Sequence, residues 1–248
     1  MSSETLTFVT ALPIPVVVAI ALALWLGVRR AARELAIPVA RRTSLLIKTG
    51  ALLGAWLLLA FWLAASGVLR AGSTEALPIV ALAIVLTIVV GLSIVATSQT
   101  ARDILAATPP HLLIGVQVYR SIGAIFLVLF ALGRAPGAFA LPAGWGDVLI
   151  GVSAPIMAWL YRADAARWRG LAILWNAIGI TDLVIAVSTG VLTVPGPLQR
   201  LAFDLPNVLI TSFPLVLVPA VLVPASILLH LFSLRSLRAG AARDLVAA

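Results

Sequence analysis

The sequence predicts an all-α, polytopic membrane protein with seven transmembrane helices. Hydrophobic residues make up 62% of the 248 residues and charged residues only 10%, whereas soluble domains carry about 25% charged residues. A helix needs about 20 mostly apolar residues to cross the hydrocarbon core, and its backbone must satisfy its own hydrogen bonds there. Seven stretches meet this requirement: 6–28, 45–69, 77–97, 111–133, 141–161, 170–193 and 206–233.

The connections between these stretches are short, so we expect a single domain over residues 1–248. Within it, residues 1–97 form an apolar three-helix unit, residues 98–140 supply a linking helix, and residues 141–248 form a three-helix unit with polar groups. Short motifs recur in order, at 11–13 and 140–142, at 66–69 and 189–192, and at 77–80 and 205–208. The recurrence favours a 3+1+3 parallel repeat, as in several transporter folds, but such common residues also recur by chance.

Positive charges are distributed unevenly between the two ends of the predicted bundle. Of the 17 Lys and Arg residues, 13 fall on one side, which we call the arginine-rich end. Arg70, Arg134 and Arg200 fall at the opposite, arginine-poor end. Because cytoplasmic loops are enriched in Lys and Arg, we expect the N-terminus outside and the C-terminus in the cytoplasm. The preference for Arg over Lys, with abundant Ala and Leu, is typical of a GC-rich bacterial genome and favours a bacterial inner membrane.

The net charge of +8 therefore reflects topology. The basic segment 29–48 is predicted to contact anionic headgroups at the cytoplasmic face. No basic run is interleaved with exposed aromatic residues, the pattern of nucleic-acid binding, so we expect no nucleic-acid partner. The first three spans carry almost no polar side chains. This pattern fits contact with lipid and equally fits a protein partner or a second copy docked on these spans.

Polar side chains concentrate in the fourth to seventh spans. In the fourth span, one stripe at helical steps of three and four contains Leu113, Gln117, Arg120 and Ala124. Asp147 in the fifth span and Asp182 in the sixth each share a face with small residues, which let helices approach closely in lipid. These small residues are Gly144, Gly151, Ala154 and Ala158 in the fifth span and Gly179 and Ala186 in the sixth.

Three charges at similar depth are predicted to meet inside the bundle. An unpaired charge at mid-bilayer costs at least about 2.5–3.5 kcal/mol, so we expect Arg120 to pair with Asp147 or with Asp182. Two carboxylates against one guanidinium leave one excess negative charge, which requires a proton, a cation or a basic group of a ligand. Asp182, which is deeper and flanked by Gly179 and Ala186, is favoured as the group that changes protonation. The candidate ligand- or proton-handling residues are Arg120, Asp147, Asp182, Gln117, Tyr119, Asn176 and Thr181.

Proline residues mark expected kinks or hinges. Each proline inside a helix leaves one carbonyl, four residues earlier, without its N–H partner. In the seventh span the carbonyls of Ile210, Leu215 and Ala220 are therefore expected to be free. His111 and His230 are expected at the interface, near the arginine-rich ends of the fourth and seventh spans. The candidate kink residues are Pro155, Pro214, Pro219 and Pro224.

The motifs exclude several classes of chemistry and leave two function classes open. The chain has no cysteine, no set of residues at metal-ligand spacing and no evident nucleophile with its base, so we expect no metal or cofactor and do not favour an enzyme. The layout resembles the SWEET sugar transporters and the rhodopsins in topology alone, and the seventh span has no lysine for a retinal Schiff base. One hypothesis is a small-solute or proton-handling transporter, or a ligand-binding membrane protein. The alternative is a structural or regulatory subunit in which Arg120 and Asp182 form a helix-packing ion pair.

Overall fold

The computed structural model describes the backbone of residues 3–70 and 79–247 and the side chains of residues 6–70 and 79–239. Within these residues the regular structure is entirely helical. The α-helices are α1 Ser3–Ala11, α2 Pro13–Glu34, α3 Val39–Ala65, α4 Ile79–Thr97, α5 Gln99–Ala107, α6 Pro110–Gly115, α7 Ala124–Ala131, α8 Gly137–Ala163, α9 Ala165–Thr193 and α10 Val223–Ala247. Two 3₁₀ segments, Val116–Gly123 and Leu209–Thr211, and a π-helical segment, Val218–Leu222, complete the secondary structure of the described part.

Among the described residues, seven helical stretches are long and apolar enough to cross a membrane, which indicates a multi-pass membrane protein. They are Leu6–Glu34, Val39–Ala65, Ile79–Thr97, Pro110–Ala131, Gly137–Ala163, Ala165–Thr193 and Val218–Ala239. The prediction of an all-α chain with seven spans is thus confirmed, while the orientation and the parallel repeat stay predictions. Of the recurring motifs, the one at 77–80 begins outside the described residues. The prolines of the first motif pair differ in position, because Pro13 opens α2 and Pro142 lies inside α8.

Local sequence signals explain where several helices begin. The Ser98 side chain accepts a hydrogen bond from the backbone N–H of Ala101 and caps α5. Asp164 alone separates α8 from α9, and its carboxylate accepts a hydrogen bond of 3.0 Å from the backbone N–H of Arg167. This one-residue connection holds the fifth and sixth spans side by side along their length.

The predicted start of the seventh span at residue 206 is wrong, because the spanning helix begins at Val218. Residues 206–217 form turns and one short 3₁₀ segment instead. They are apolar because they fill the protein core rather than face lipid: Leu215, Val216 and Leu217 are at most 2% exposed. Hydropathy alone does not separate these two reasons for an apolar run.

The fourth span is not one continuous α-helix. The segment Val116–Gly123 between α6 and α7 is 3₁₀-helical, with about three residues per turn instead of 3.6. Its buried residues are Gln117, Arg120 and Gly123, each three positions after the last. The predicted stripe therefore holds from Leu113 to Arg120 but continues to Gly123 rather than to Ala124, which is exposed.

The fifth span lies at the centre of the packing. Helix α8 contacts α6, the 3₁₀ segment Val116–Gly123, α7 and α9, and α10 contacts α9, α6 and α4. The predicted small-residue face of α8 is confirmed, since Gly144, Gly151 and Ala154 are all buried. Helices α2 and α3 pack on each other, and both touch the π-helical segment Val218–Leu222. The fourth to seventh spans therefore enclose the interior in which the polar side chains lie.

Candidate functional site

Arg120 is at the centre of a buried cluster formed by the fourth, fifth, sixth and seventh spans. It is 2% exposed, and its Nε donates a hydrogen bond of 2.7 Å to Oδ1 of Asp147. Its Nη2 donates to Oδ2 of Asp182. The sequence left open which carboxylate Arg120 pairs with, and the structure pairs it with both. The prediction that the three charged side chains meet inside the bundle is thus confirmed.

The guanidinium is also held by the sixth and seventh spans. Its Nη1 donates to the carbonyl oxygen of Gly179 at 3.2 Å and lies 3.1 Å from Nε2 of His230. Four of the five N–H donors of Arg120 thus have partners. Because the donors of a guanidinium form a rigid planar fork, these contacts fix the position of Arg120 relative to all three neighbouring helices.

The contacts of His230 fix its tautomer. Arginine can only donate, so Nε2 of His230 must accept and its proton must be on Nδ1. Nδ1 lies 2.9 Å from Oδ1 of Asn176 and donates to it. The amide of Asn176 in turn donates to the carbonyl oxygen of Ala172 at 2.7 Å. His230 is therefore neutral in this arrangement, and the chain of hydrogen bonds is satisfied from Arg120 to the backbone of α9.

The expectation that His230 is an interfacial residue is wrong. Its side chain is 0% exposed, and its ring packs against Trp175 with centroids 5.3 Å apart. The seventh span starts 12 residues later than the hydropathy predicts, which moves His230 from the end of the span toward its middle. One sequence signal could have identified it, since Ser226, His230 and Ser233 follow one another at helical steps, and all three are buried.

Glycines allow the charged side chains to approach each other. A Cβ at Gly146 would overlap the carboxylate of Asp182, and a Cβ at Gly123 would overlap the side chain of Asp147. A Cβ at Gly179 would overlap the ring of His230. The cluster thus requires glycine on three adjoining elements, the 3₁₀ segment Val116–Gly123, α8 and α9. The close helix packing at small residues and the pairing of charges therefore occur in the same part of the bundle.

Gln117 and Tyr119 hold the fourth span against the seventh. Nε2 of Gln117 donates to the carbonyl oxygen of Ser226 at 3.1 Å, and the Ser226 hydroxyl donates back to Oε1 of Gln117 at 2.6 Å. The Tyr119 hydroxyl donates to the carbonyl oxygen of Leu222 at 3.0 Å. Both side chains therefore make interhelical contacts next to the charged cluster, and their predicted ligand role stays a prediction.

A cavity of about 310 Å³ reaches from the arginine-poor end of the bundle to Asp147. Its mouth includes the exposed residues Arg70 and Gly196, and its walls are almost entirely apolar. Arg70 and Asp147 are the charged residues among the described lining residues. The volume falls at the lower end of the range of small-molecule sites, about 300–1,000 Å³. Asp147, whose side chain is 12% exposed, is therefore the part of the charged cluster that a molecule in the cavity would meet.

Several predicted site residues lie elsewhere. Thr181 faces outward from α9, and its hydroxyl donates to the carbonyl oxygen of Ala177. Pro155 is on the exposed face of α8. Pro214 lies in a turn before the seventh span, so the helical argument for a free carbonyl at Ile210 does not apply to it.

The remaining prolines open the seventh span. Pro219 is in the π-helical segment and Pro224 is the second residue of α10. The carbonyl of Leu215, which was expected to be free, accepts a hydrogen bond from the N–H of Val218 at 2.9 Å. The prolines therefore shape the start of this span, where α10 approaches the cavity.

The cluster carries one excess negative charge. Arg120 contributes one positive charge, Asp147 and Asp182 contribute one negative charge each when ionised, and His230 is neutral. Among the described side chains, Arg120 is the cation in contact with the two carboxylates. The arrangement can therefore hold a proton on one carboxylate or a positive group at the end of the cavity.

Comparison with known proteins identifies a family without a described activity. A family model described as a domain of unknown function (DUF8737) matches residues 76–238, which include the third to seventh spans and the whole charged cluster. No curated protein and no solved structure matches the chain. Because the matched range is more than half of the sequence, the chain belongs to the DUF8737 family.

Proposed function

We propose that this membrane protein binds and transports a small solute through the cavity between the third, fifth, sixth and seventh spans. One observation carries the proposal: a buried carboxylate, Asp147, lies at the inner end of an apolar cavity that reaches the protein surface. Asp147 is the acidic side chain among the described residues that line this space. Ionisable residues inside membrane spans commonly mark substrate or proton paths.

The cluster supplies the chemistry of this site. Asp147 is the contact group, and Arg120 holds its carboxylate at 2.7 Å. Asp182 accepts from Nη2 of the same guanidinium and is not among the residues that line the cavity, so its role is to share the charge of Arg120. The sequence favoured Asp182 as the group that changes protonation, and the position of Asp147 now favours Asp147 for direct contact with a ligand.

Cysteine accessibility tests whether solute can reach the cavity. The chain has no cysteine, so a single introduced thiol is the only reactive one. Ala186 on α9 lines the cavity, whereas Ala172 on the same helix is 0% exposed and does not line it. We expect Ala186→Cys to react with methyl methanethiosulfonate in the folded protein, and Ala172→Cys to react only after unfolding. Equal protection of both thiols would refute an accessible cavity.

We also propose a bacterial inner membrane with the arginine-rich end in the cytoplasm, supported by the distribution of Arg residues. Ala165→Cys at the arginine-rich end and Asp204→Cys at the arginine-poor end are both exposed positions. In intact cells, an impermeant thiol reagent should label Asp204→Cys and not Ala165→Cys. The reverse pattern would invert the orientation and place the cavity mouth on the cytoplasmic side.

A structural or regulatory subunit is the second candidate function. The observations that favour it are the reciprocal hydrogen bonds between Gln117 and Ser226 and the multiple contacts of Arg120, which join the fourth span to the fifth, sixth and seventh. Buried polar pairs sometimes specify helix packing. In that case the exposed apolar faces of α3 and α4 would dock a partner, and the particle isolated in mild detergent should contain a second, stoichiometric protein.

A further inference from the structure

The charges around the inner end of the cavity do not balance, and this imbalance defines a class of ligand. The titratable or charged groups that face Asp147 are Arg120 and Tyr119 on the fourth span, Asp182 on the sixth, and His230 on the seventh through Arg120. With the neutral tautomer of His230 and a neutral tyrosine, the ionised cluster has a net charge of −1. This inference rests on the proposed function and goes beyond it.

A net charge in this environment needs a compensating charge. Burial of an uncompensated ion in an apolar medium is strongly unfavourable, and the described walls of the cavity that Asp147 lines are apolar side chains such as Phe126, Phe139 and Val187. Arg70 does not compensate the charge, because it is exposed at the mouth, where water and salt screen its field. The compensating positive charge must therefore be a proton on a carboxylate or a cation that enters the cavity.

The shape and lining of the cavity decide what kind of cation fits. An inorganic cation prefers several oxygen ligands, and Asp147 and Thr211 are the lining side chains with oxygen atoms among the described residues. An organic cation instead needs one carboxylate for its charged group and apolar walls for its body. The volume of about 310 Å³ is suited to a molecule of this kind.

We propose that the site binds one amphipathic organic cation in exchange for one proton. In the empty site one carboxyl group of the Asp147–Asp182 pair carries a proton. When the cation enters, the O–H bond of that carboxyl breaks, the proton passes to water, and the ionised carboxylate forms an ion pair with the cation. No electron is transferred, and the total charge of the site is zero in both states. Proton and ligand thus compete for the same negative charge, and each lowers the affinity for the other.

Phenyltrimethylammonium and tert-butylbenzene are matched probes, because they have nearly the same shape and differ in charge. Binding to the purified full chain is measured by calorimetry in two buffers of different ionisation enthalpy, which gives the number of protons released. We expect phenyltrimethylammonium to bind with release of about one proton, and tert-butylbenzene to release none. Raising the proton concentration should weaken the binding of phenyltrimethylammonium alone.

Two variants and one control connect this binding to the cavity. Asp147→Asn should weaken phenyltrimethylammonium binding by about 30-fold or more and abolish proton release. Val187→Phe, which fills the cavity without changing the cluster, should also abolish binding. Asp204→Asn removes an exposed acidic group outside the cavity and should change neither the binding of phenyltrimethylammonium nor the proton release. Thermal unfolding of each variant separates loss of binding from loss of fold.

The outcomes distinguish this inference from the proposed function. If Ala186→Cys reacts but phenyltrimethylammonium neither binds nor protects the thiol, the cavity is accessible and the inferred ligand class is wrong. Cation binding without proton release, or equal binding to Asp147→Asn, would also overturn the exchange. If Ala186→Cys is unreactive, the proposed function itself fails.

Discussion

The first three spans and the last four differ in what holds them in place. Only 6% of the residues in the apolar windows of the second and third spans are buried, against 61% in the seventh. The first three spans contact their neighbours mostly through apolar side chains, apart from the Trp25 indole N–H that donates to the carbonyl oxygen of Leu46. The last four spans share a network of buried hydrogen bonds centred on Arg120. Substitutions of a similar kind should therefore change the free energy of unfolding unequally in the two regions.

The largest expected effect is loss of Arg120. Arg120→Met keeps a long side chain but leaves Asp147, Asp182 and the carbonyl oxygen of Gly179 without their donor. Removal of one partner from a buried ion pair typically costs about 3–5 kcal/mol. We therefore expect the free energy of unfolding in detergent to fall by this amount, as measured by denaturant titration. The control in the first three spans is Thr87→Val, which removes a hydroxyl that donates within its own helix. It should change the free energy of unfolding by about 0.5 kcal/mol or less.

Addition of Asp182→Asn to the Arg120→Met variant tests whether the two residues are energetically coupled. The second substitution removes one of the carboxylates left without a partner, so it should recover part of the lost stability. If the two losses simply add, Arg120 and Asp182 are not energetically coupled, and the network would not be the feature that distinguishes the two regions.

A smaller effect is expected for the lock between Gln117 and Ser226. Each of the single variants Gln117→Leu and Ser226→Ala leaves a buried polar group without a partner, at a cost of about 1–3 kcal/mol. The double variant should cost less than the sum, because both partners are then removed. A double-mutant cycle on the free energy of unfolding measures this coupling, and a coupling of zero would contradict the reciprocal hydrogen bonds.

Two glycine substitutions should have effects of opposite sign in the two regions. Gly179→Ala on α9 places a methyl group against the ring of His230 and should destabilise the protein by about 1–3 kcal/mol. Gly54→Ala on α3 meets no atom within 4 Å and should stabilise it by about 0.4–1 kcal/mol. Equal signs in the unfolding measurements would mean that the close packing of the cluster does not limit stability.

Much of the fold was predictable because a membrane span is a long, mostly apolar stretch that is easily recognised in the sequence. The meeting of Arg120 with the carboxylates was also predictable, from depth and from the cost of an unpaired charge. The local geometry was not. The 3₁₀ segment around Arg120 changes the helical period from 3.6 to 3, and no single residue in it indicates that change.

The seventh span and its histidine show a second limit of sequence reasoning. Leu215 and Val216 are apolar because they fill the core, and this extended the apparent span toward residue 206. The shifted boundary placed His230 at an interface instead of beside Arg120. The cavity was not predictable either, since its walls are ordinary apolar residues, and only their arrangement leaves space next to Asp147.

The family match adds a further distinction between the two regions. Its range, residues 76–238, includes α4, which supplies the cavity-wall residues Ile79 and Ile84, and leaves out the first two spans. The part of the chain that matches the family therefore contains the whole cluster and the described cavity walls outside Val68–Arg70. This favours the last five spans as the part that carries the proposed function.

Infrared spectroscopy of the carboxyl groups can detect the proton that the cluster is proposed to hold. The account predicts that the wild-type protein shows a protonated carboxyl band near neutral pH, because the cluster has one excess negative charge. The band should disappear on addition of phenyltrimethylammonium, and it should be absent or shifted in Asp147→Asn. If the wild type shows no protonated carboxyl at any pH at which it stays folded, and the spectrum does not change with the cation, the cluster does not exchange a proton for a cation and the inferred exchange is wrong.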